Sequence, residues 1–191
     1  MTDRSVRQIT DSRVLAALAH PLRWRLMDLL NVDGPSTVGM LAERTGQAPA
    51  NVSHHMKVLA GCDLVAEAPD RARDRRERWW QLVDRSLRWS TADFAADPAA
   101  HAVADAATSL HLDRHTTQVR AWYAAGEAAH RAWEDGPFVA NRWLRLTPEE
   151  LAELGREVVD LLARWADRPT PDDGRDREPV LVFAYGVPGQ P

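Results

Sequence analysis

Residues 49–60 read Pro-Ala-Asn-Val-Ser-His-His-Met-Lys-Val-Leu-Ala, and their periodicity predicts an amphipathic helix. Pro49 suits the first helical turn, where a backbone N–H would have no partner inside the helix. Val52, Met56 and Leu59 follow at i, i+4 and i+7, so they form one buried stripe. The opposite face carries small or hydrogen-bonding side chains, namely Ala50, Asn51, Ser53, His54 and Lys57. We therefore expect a helix that packs on one side and presents polar groups on the other.

Three helices are predicted before this one. Thr10 or Asp11 caps the first, which ends before Pro21 because the residue preceding a proline avoids the helical conformation. Pro21 then opens the second helix at its first turn. Ser36 is expected to cap the third, which stops at Gly46 because glycine readily adopts a left-handed conformation.

The periodicity changes after the fourth helix. Residues 64–68 and 78–83 are rich in strand-forming side chains and flank a charged segment, so they predict a β-hairpin. The arginines in and beside its tip are Arg71, Arg73, Arg75, Arg76 and Arg78. Guanidinium groups suit phosphate oxygens or a narrow minor groove, and Arg76 and Arg78 are the preferred candidates for such contacts.

The second half of the chain reads differently. Asp97-Pro98 is expected to start a helix that reaches about Trp133, with a kink or break near His111 where the apolar stripe shifts phase. Residues 138–146 and 180–185 are expected to be strands. Between them, Thr147-Pro-Glu-Glu150 predicts a capping box at the start of another amphipathic helix. These expectations describe a small C-terminal strand-helix-strand unit.

The charge is divided unevenly along the 191 residues. Residues 1–90 hold 14 Lys+Arg against 11 Asp+Glu, while residues 91–191 hold 10 against 17, which gives the net charge of -4. A basic first half and an acidic second half predict two domains, at 1–90 and 91–191. The single cysteine, Cys62, excludes an internal disulfide framework and suits a cytoplasmic location. Since no apolar run approaches the ~20 residues that span a bilayer, no membrane association is expected.

Three segments in this order resemble the ArsR-type winged helix-turn-helix transcriptional regulators. They read Ala17-Leu-Ala-His-Pro-Leu-Arg-Trp-Arg-Leu-Met-Asp-Leu-Leu30, Val52-Ser-His-His-Met-Lys-Val-Leu59 and Arg76-Glu-Arg-Trp-Trp-Gln-Leu82. The segment Leu146-Thr-Pro-Glu-Glu-Leu151 resembles a larger actinobacterial subset with an extended C-terminal domain. The resemblance implies a homodimer, a palindromic operator, and repression that a small effector relieves. The expected fold is mainly α with small β, a winged helix-turn-helix followed by a long-helix dimerisation region.

The polar face of the fourth helix suits base recognition in a major groove. Asn51 can read adenine, Ser53 and His54 can donate to base or phosphate oxygens, and Lys57 is placed for a phosphate. A solvated helix face is the alternative interpretation, and the neighbouring arginine hairpin argues against it. His55 lies beside the buried stripe and is expected to be a core histidine rather than a contact.

No cofactor or metal is predicted. The cysteine pair that marks the family's metal-sensing branch is lacking from residues 38–43. His111 and His115 stand four residues apart on a predicted helix and are the alternative, as ligands of a zinc site completed by a second subunit. An apolar effector pocket and ordinary packing both remain open as interpretations of the C-terminal aromatic residues Trp122, Tyr123, Trp133, Trp143 and Trp165.

Two function classes follow from these patterns. The first is a sequence-specific, homodimeric regulator that binds double-stranded DNA in the cytoplasm. The alternative is a winged-helix interaction module that has lost DNA binding and serves dimerisation. An enzyme is not expected, since the chain has neither a glycine-rich phosphate loop nor a nucleophile motif.

Overall fold

The computed structural model describes residues 6–72, 77–84, 86–131, 133 and 136–190. Four helices form the N-terminal half, as the sequence predicts: α1 (Ser12–Leu18), α2 (Pro21–Val32), α3 (Val38–Thr45) and α4 (Pro49–Ala60). The Asp11 side chain caps α1 by accepting from Arg13 N at 2.8 Å, and Gly46 ends α3 at a positive φ of 67°. These boundaries confirm the predicted helix signals, with one exception.

The exception is the start of α3, where the prediction that Ser36 is the cap is wrong. Thr37 caps the helix, because its Oγ1 accepts from Met40 N at 3.3 Å. Ser36 lies one residue earlier in a short strand, β2 (Ser36–Thr37). Its hydroxyl donates to the carbonyl oxygen of Gly34 at 3.1 Å instead.

The predicted β-hairpin is confirmed. It consists of β3 (Val65–Glu67) and β4 (Trp79–Leu82), paired antiparallel with Val65 opposite Leu82. β2 joins on the other edge of β4, so the sheet has the order β2-β4-β3. The sequence did not predict this third strand, since two residues carry too little periodicity to be read.

A second, two-stranded sheet was also not predicted. β1 (Arg7–Gln8) pairs parallel with β5 (Leu87–Arg88), and Ile9 N donates to the carbonyl oxygen of Arg88 at 2.8 Å. This pairing ties the N-terminal segment to the chain that leaves the hairpin. It also places Ile9 in the core, where its side chain is buried.

The long helix differs from its prediction in where it breaks. α5 (Pro98–Ala124) begins as expected, with the Asp97 carboxylate accepting from Ala99 N at 2.9 Å. It runs without interruption through His111, so the predicted break there is wrong. The break comes at Gly126, whose φ is 82°, and a short helix, α6 (Glu127–Arg131), follows. Glycine allows this positive φ without steric cost, so the helix can end at Gly126. The apolar stripe did not predict this end, because it continues past Gly126.

In the C-terminal segment the predicted helix is confirmed, whereas the two predicted strands are not. α7 (Pro148–Asp167) starts at a complete capping box, in which Thr147 and Glu150 each accept from the other's backbone N–H. Residues 138–146 and 180–185, predicted to be strands, do not form strands. The predicted strand-helix-strand unit is therefore wrong. Strand-forming composition alone does not make a strand, because a ladder needs a paired partner.

The core lies among α1–α4, the three-stranded sheet and the first part of α5. Leu15, Leu18, Leu26, Val52 and Leu59 are completely buried there. Two compact units divide the chain, Met1–Arg120 and Ala121–Pro191. The predicted functional boundary at residue 90 stays a prediction. Among the described residues, no helix is long and apolar enough to cross a membrane.

Candidate nucleic-acid interface

The exposed face of α4 brings together the five side chains that the sequence selects. Ala50, Asn51, His54 and Lys57 are exposed, and Ser53 is partly exposed. On the opposite face Val52, Met56 and Leu59 are completely buried. Because the buried stripe anchors the helix, these polar groups are held on a rigid element rather than on a loop.

The N-terminal end of the polar face contains a side-chain pair. Asn51 Nδ2 donates to Gln47 Oε1 at 3.0 Å, across the turn between α3 and α4. A primary amide has two N–H groups and a carbonyl oxygen, so this bond leaves one donor and one acceptor on Asn51. That is the set an asparagine uses to read adenine. The sequence did not point to Gln47, because it lies in the turn before α4, where the i,i+4 spacing rule for helix surfaces does not apply.

His55 confirms its prediction as a core histidine. Its side chain is buried, its ring centroid lies 4.4 Å from that of His20, and Arg23 Nε donates to its Nδ1 at 3.3 Å. Burial lowers the pKa of His55, and the neighbouring His20, Arg23 and His54 lower it further. His55 is thus a neutral acceptor for Arg23, which also donates to the carbonyl oxygen of Ala17 at 2.7 Å. The two bonds link α1, α2 and α4 beneath the polar face.

The end of α3 is held from α2 by an arginine that the sequence analysis did not select. Arg25 donates to the carbonyl oxygens of Arg44 at 3.0 Å and Thr45 at 3.3 Å. The last carbonyls of a helix have no partner within it, so a guanidinium satisfies them. Arg25 therefore sets the position of the α3–α4 turn. The contact joins residues about twenty positions apart, which no local pattern reveals.

Of the two arginines preferred as DNA contacts, Arg78 belongs to the described part of the hairpin. Arg78 is exposed just before β4, and its Nη1 lies 3.5 Å from Glu67 Oε1 on β3. Such an exposed ion pair is weak, so Arg78 can exchange Glu67 for another anion at little cost. Arg71 is also exposed, in a 3-10 turn at Pro69–Arg71. Arg76, together with Arg73 and Arg75, lies outside the described residues.

The two candidate zinc ligands lie elsewhere, on α5. The rings of His111 and His115 are 4.2 Å apart, and Arg114 Nη2 lies 3.1 Å from His115 Nε2. The pKa of His111 falls to about 4, chiefly through burial and then through His115 and Arg114. Among the described residues, no group of three or more His, Cys, Asp or Glu side chains could hold a metal ion.

The five candidate effector-pocket aromatics all belong to the unit Ala121–Pro191. Tyr123, Trp143 and Trp165 are mostly exposed, while Trp122 and Trp133 are partly exposed. The guanidinium carbon of Arg168 lies over the Trp165 ring, 4.3 Å from the ring centroid. The effector pocket built from these residues stays a prediction.

Comparisons with known proteins agree with the fold of the N-terminal half. Residues 18–68 match the family described as a helix-turn-helix domain, HTH_20. That segment runs from the end of α1 through α4 and β3, and with β4 added it forms a winged helix-turn-helix. A search of curated proteins returned no match.

Several solved structures are similar at low sequence identity. A mutant of ZitR from Lactococcus lactis in apo form is 20% identical, covering 79% of this chain and 83% of that one, with a TM-score of 0.32. The adhesin competence repressor AdcR from Streptococcus pyogenes is 17% identical, covering 77% and 81%, with a TM-score of 0.31. Wild-type ZitR in complex with DNA is 16% identical, covering 86% and 80%, with a TM-score of 0.29.

Proposed function

We propose that this protein is a transcriptional regulator that binds double-stranded DNA sequence-specifically through α4. The observation that carries the proposal is the polar face of α4, held by a completely buried stripe and followed by an arginine-bearing hairpin. A helix of this kind fits a major groove, and base edges there carry the hydrogen-bonding pattern that identifies sequence. The match of residues 18–68 to a helix-turn-helix domain supports the same function.

The side chains divide between recognition and positioning. Asn51 reads adenine through its remaining amide N–H and its carbonyl oxygen, and Ala50 allows close approach to the base edges. Ser53 and His54 donate to base or phosphate oxygens. Lys57, one turn further along α4, contacts a phosphate, and Arg76 and Arg78 reach the phosphates or the adjacent minor groove.

The protein acts as a homodimer and a repressor on a palindromic operator. Two helix-turn-helix units related by a two-fold axis read two half-sites, so the symmetry of the operator follows from that of the dimer. The region 91–191 supplies the dimer contacts. A small effector releases the protein from its operator.

The test is a DNA-binding measurement on the full chain, with labelled DNA from upstream of its own gene, at two salt concentrations. We expect a specific complex that resists excess unrelated DNA and weakens as salt rises. Asn51→Ala should weaken specific binding by about 5- to 150-fold, since a good bidentate base contact is worth ~1–3 kcal/mol. Binding to unrelated DNA should change little.

A matched control is Asn31→Ala, which removes an exposed amide of the same kind from α2, outside α4 and the hairpin. Arg76→Ala should lower the salt dependence by about one unit of slope. A stable dimer without any specific complex would contradict the proposal and favour the interaction module. An unchanged affinity and slope in Arg76→Ala would remove the hairpin from the interface.

A further inference from the structure

A cavity of about 190 Å³ lies within the unit Met1–Arg120, and neither the sequence patterns nor the proposed DNA contacts account for it. It is formed between α2, the end of β4, β5 and α5. One wall is aromatic, made by Trp24, Trp89 and His111, with the His111 ring 4.6 Å from Trp24 and 5.3 Å from Trp89. The rest of the lining is apolar at Met27, Leu82 and Leu87 and polar or charged at Asp28, Asn31, Asp84 and Arg114.

Three of the residues that line the cavity each have a buried side-chain polar atom without a hydrogen-bond partner. Across the described residues five side-chain polar atoms are in that condition, and three of them belong to residues that line the cavity. They are Trp24 Nε1, His111 Nδ1 and Arg114 Nε. A buried polar group without a partner costs free energy, so such a concentration indicates that a bound molecule supplies the partners once these side chains turn toward it. By contrast, Trp89 Nε1 already donates to Thr108 Oγ1 at 2.9 Å.

The chemistry of the unpartnered atoms defines what the cavity accepts. The indole N–H of Trp24 and the Nε–H of Arg114 are donors only. A neutral imidazole can donate or accept through Nδ1, and His111, whose pKa is about 4, is neutral near pH 7. The ligand must therefore offer hydrogen-bond acceptors, with a planar ring to pack against the aromatic wall.

The charges around the cavity favour a neutral ligand. Arg114 pairs with Asp28, and its guanidinium also lies 4.8 Å from the Trp24 ring centroid. Asp84 lies 3.9 Å from Arg7, which also donates to the carbonyl oxygen of Asp63. Since each charged side chain on the described wall has an opposite charge beside it, a charged ligand would have to break an existing pair.

We infer that this cavity is a binding site for a compact, neutral, planar molecule that carries a carbonyl or ring-nitrogen acceptor. The volume agrees with that size, because drug-sized ligands occupy larger pockets of ~300–1,000 Å³. α2 forms one wall of the site and also packs against α4, so an occupant lies one helix away from the DNA-facing side chains. A role as the effector site rests on the proposed function, whereas binding itself does not.

The experiment titrates benzamide into the full chain without DNA and follows the indole N–H signals by two-dimensional NMR. The Trp24 signal is identified by its loss in Trp24→Phe. We expect it to shift saturably with benzamide. Benzoate, which has the same shape and a negative charge, should bind at least tenfold more weakly, and toluene, which lacks an acceptor, about 3- to 10-fold more weakly.

Trp24→Phe keeps an aromatic ring and removes one donor, so benzamide should bind about 3- to 10-fold more weakly to it. The matched control is Trp79→Phe, since Trp79 Nε1 is equally without a partner but Trp79 does not line the cavity. Trp79→Phe should bind benzamide with the same affinity as the unaltered chain. No saturable shift, or equal losses in both variants, would overturn the site. Benzoate or toluene binding as tightly as benzamide would overturn the ligand class.

Because the titration contains no DNA, a failure of the proposed regulator does not affect it. A specific DNA complex combined with no benzamide binding would overturn the cavity proposal alone. Benzamide binding combined with no DNA complex would leave the site in place and overturn the regulator.

Discussion

At the residue scale, two adjacent histidines on α4 lie in opposite environments. His54 is exposed on the polar face, while His55 is buried and accepts from Arg23. The helical rotation of ~100° between neighbours places them on different sides. Replacing His55 would therefore disturb the anchoring of α4, whereas replacing side chains on the exposed face should change the proposed contacts with DNA.

Lys57 provides the first prediction at this scale. Its side chain is exposed on α4 nearly two turns beyond Asn51, where it can meet a phosphate. We expect Lys57→Ala to weaken DNA binding about equally for specific and unrelated sequences, and to lower the salt dependence by about one unit of slope. Fluorescence anisotropy at several salt concentrations measures both quantities.

The control is Arg120→Ala, which removes one positive charge from the exposed surface of α5. It should leave the slope unchanged. Equal slopes for Lys57→Ala and the unaltered chain would show that Lys57 does not contact a phosphate.

His111 provides a prediction about pH. Its pKa is about 4 in the folded chain, mainly because of burial, against an ordinary value of 6.5. Above pH 6.5 the ring is neutral in both states. As the pH falls from 6.5 toward 4, the unfolded chain takes up a proton that the folded chain does not, so stability is lost. His55 and His115 have lowered pKa values too and act in the same direction.

Each unit of pKa difference corresponds to ~1.4 kcal/mol, and solvent contact of the ring reduces the effect of His111 to about 1–2 kcal/mol. Urea unfolding at pH 7.5 and pH 4.5 measures it. We expect His111→Phe to lose less stability over this range than the unaltered chain. Equal losses would show that His111 is not the group that titrates.

At the scale of the element, the start of α4 is weaker than the starts of its neighbours. Asp11, Thr37 and Thr147 each accept a backbone N–H at the start of α1, α3 and α7. Ala48 has the extended backbone of a cap but offers no side-chain acceptor to α4. The helix proposed to read DNA thus depends on its buried stripe and on Pro49 for its first turn.

We expect Ala48→Ser to raise the free energy of unfolding by about 1 kcal/mol, because the hydroxyl can accept one of the unpaired N–H groups. Urea unfolding monitored by circular dichroism gives the value. Ala152→Ser, an exposed position inside α7, has no such N–H to accept and should not stabilise the chain. If both substitutions had the same effect, the missing cap would not explain the result.

At the scale of the whole molecule, the net charge of -4 is the sum of unlike halves. The acidic half repels DNA while the basic half attracts it, so non-specific binding should be weak and site-specific contacts should carry the affinity. The proposed dimerisation would then matter, because two copies double those contacts. α7 has an apolar stripe at alternating spacings of three and four that is suited to pairing: Leu151, Leu154, Val158, Leu161 and Trp165.

Leu161 tests that stripe, because its side chain is 45% exposed and Trp165, one turn further on, is 60% exposed. If α7 forms the proposed dimer contact, Leu161→Glu places a charge in it, so the dimer dissociation constant should rise at least tenfold. Sedimentation equilibrium measures the constant. Ala163→Glu adds the same charge away from the stripe and should leave the dimer intact. A dimer unaffected by Leu161→Glu would exclude α7 from the interface.

Local features of this chain could be read from the sequence because neighbouring residues create them. Gly46 and Pro49 lie at the two ends of the turn before α4, and the capping box at Thr147 starts α7. The apolar stripe that begins at Val52 identifies the buried face of α4. Each depends on contacts within about one helical turn. The five side chains proposed to meet DNA follow from the same local periodicity.

Tertiary structure alone decided which distant residues meet. Arg23 reaches His55, Arg25 holds the end of α3, and β1 pairs with β5, although no pattern in the sequence links these partners. The cavity joins Trp24 to His111 in the same way. The two mistaken C-terminal strands show the reverse case, since strand propensity is local but a ladder requires a partner. Packing across long separations is a property of the folded chain, so only the structure could reveal it.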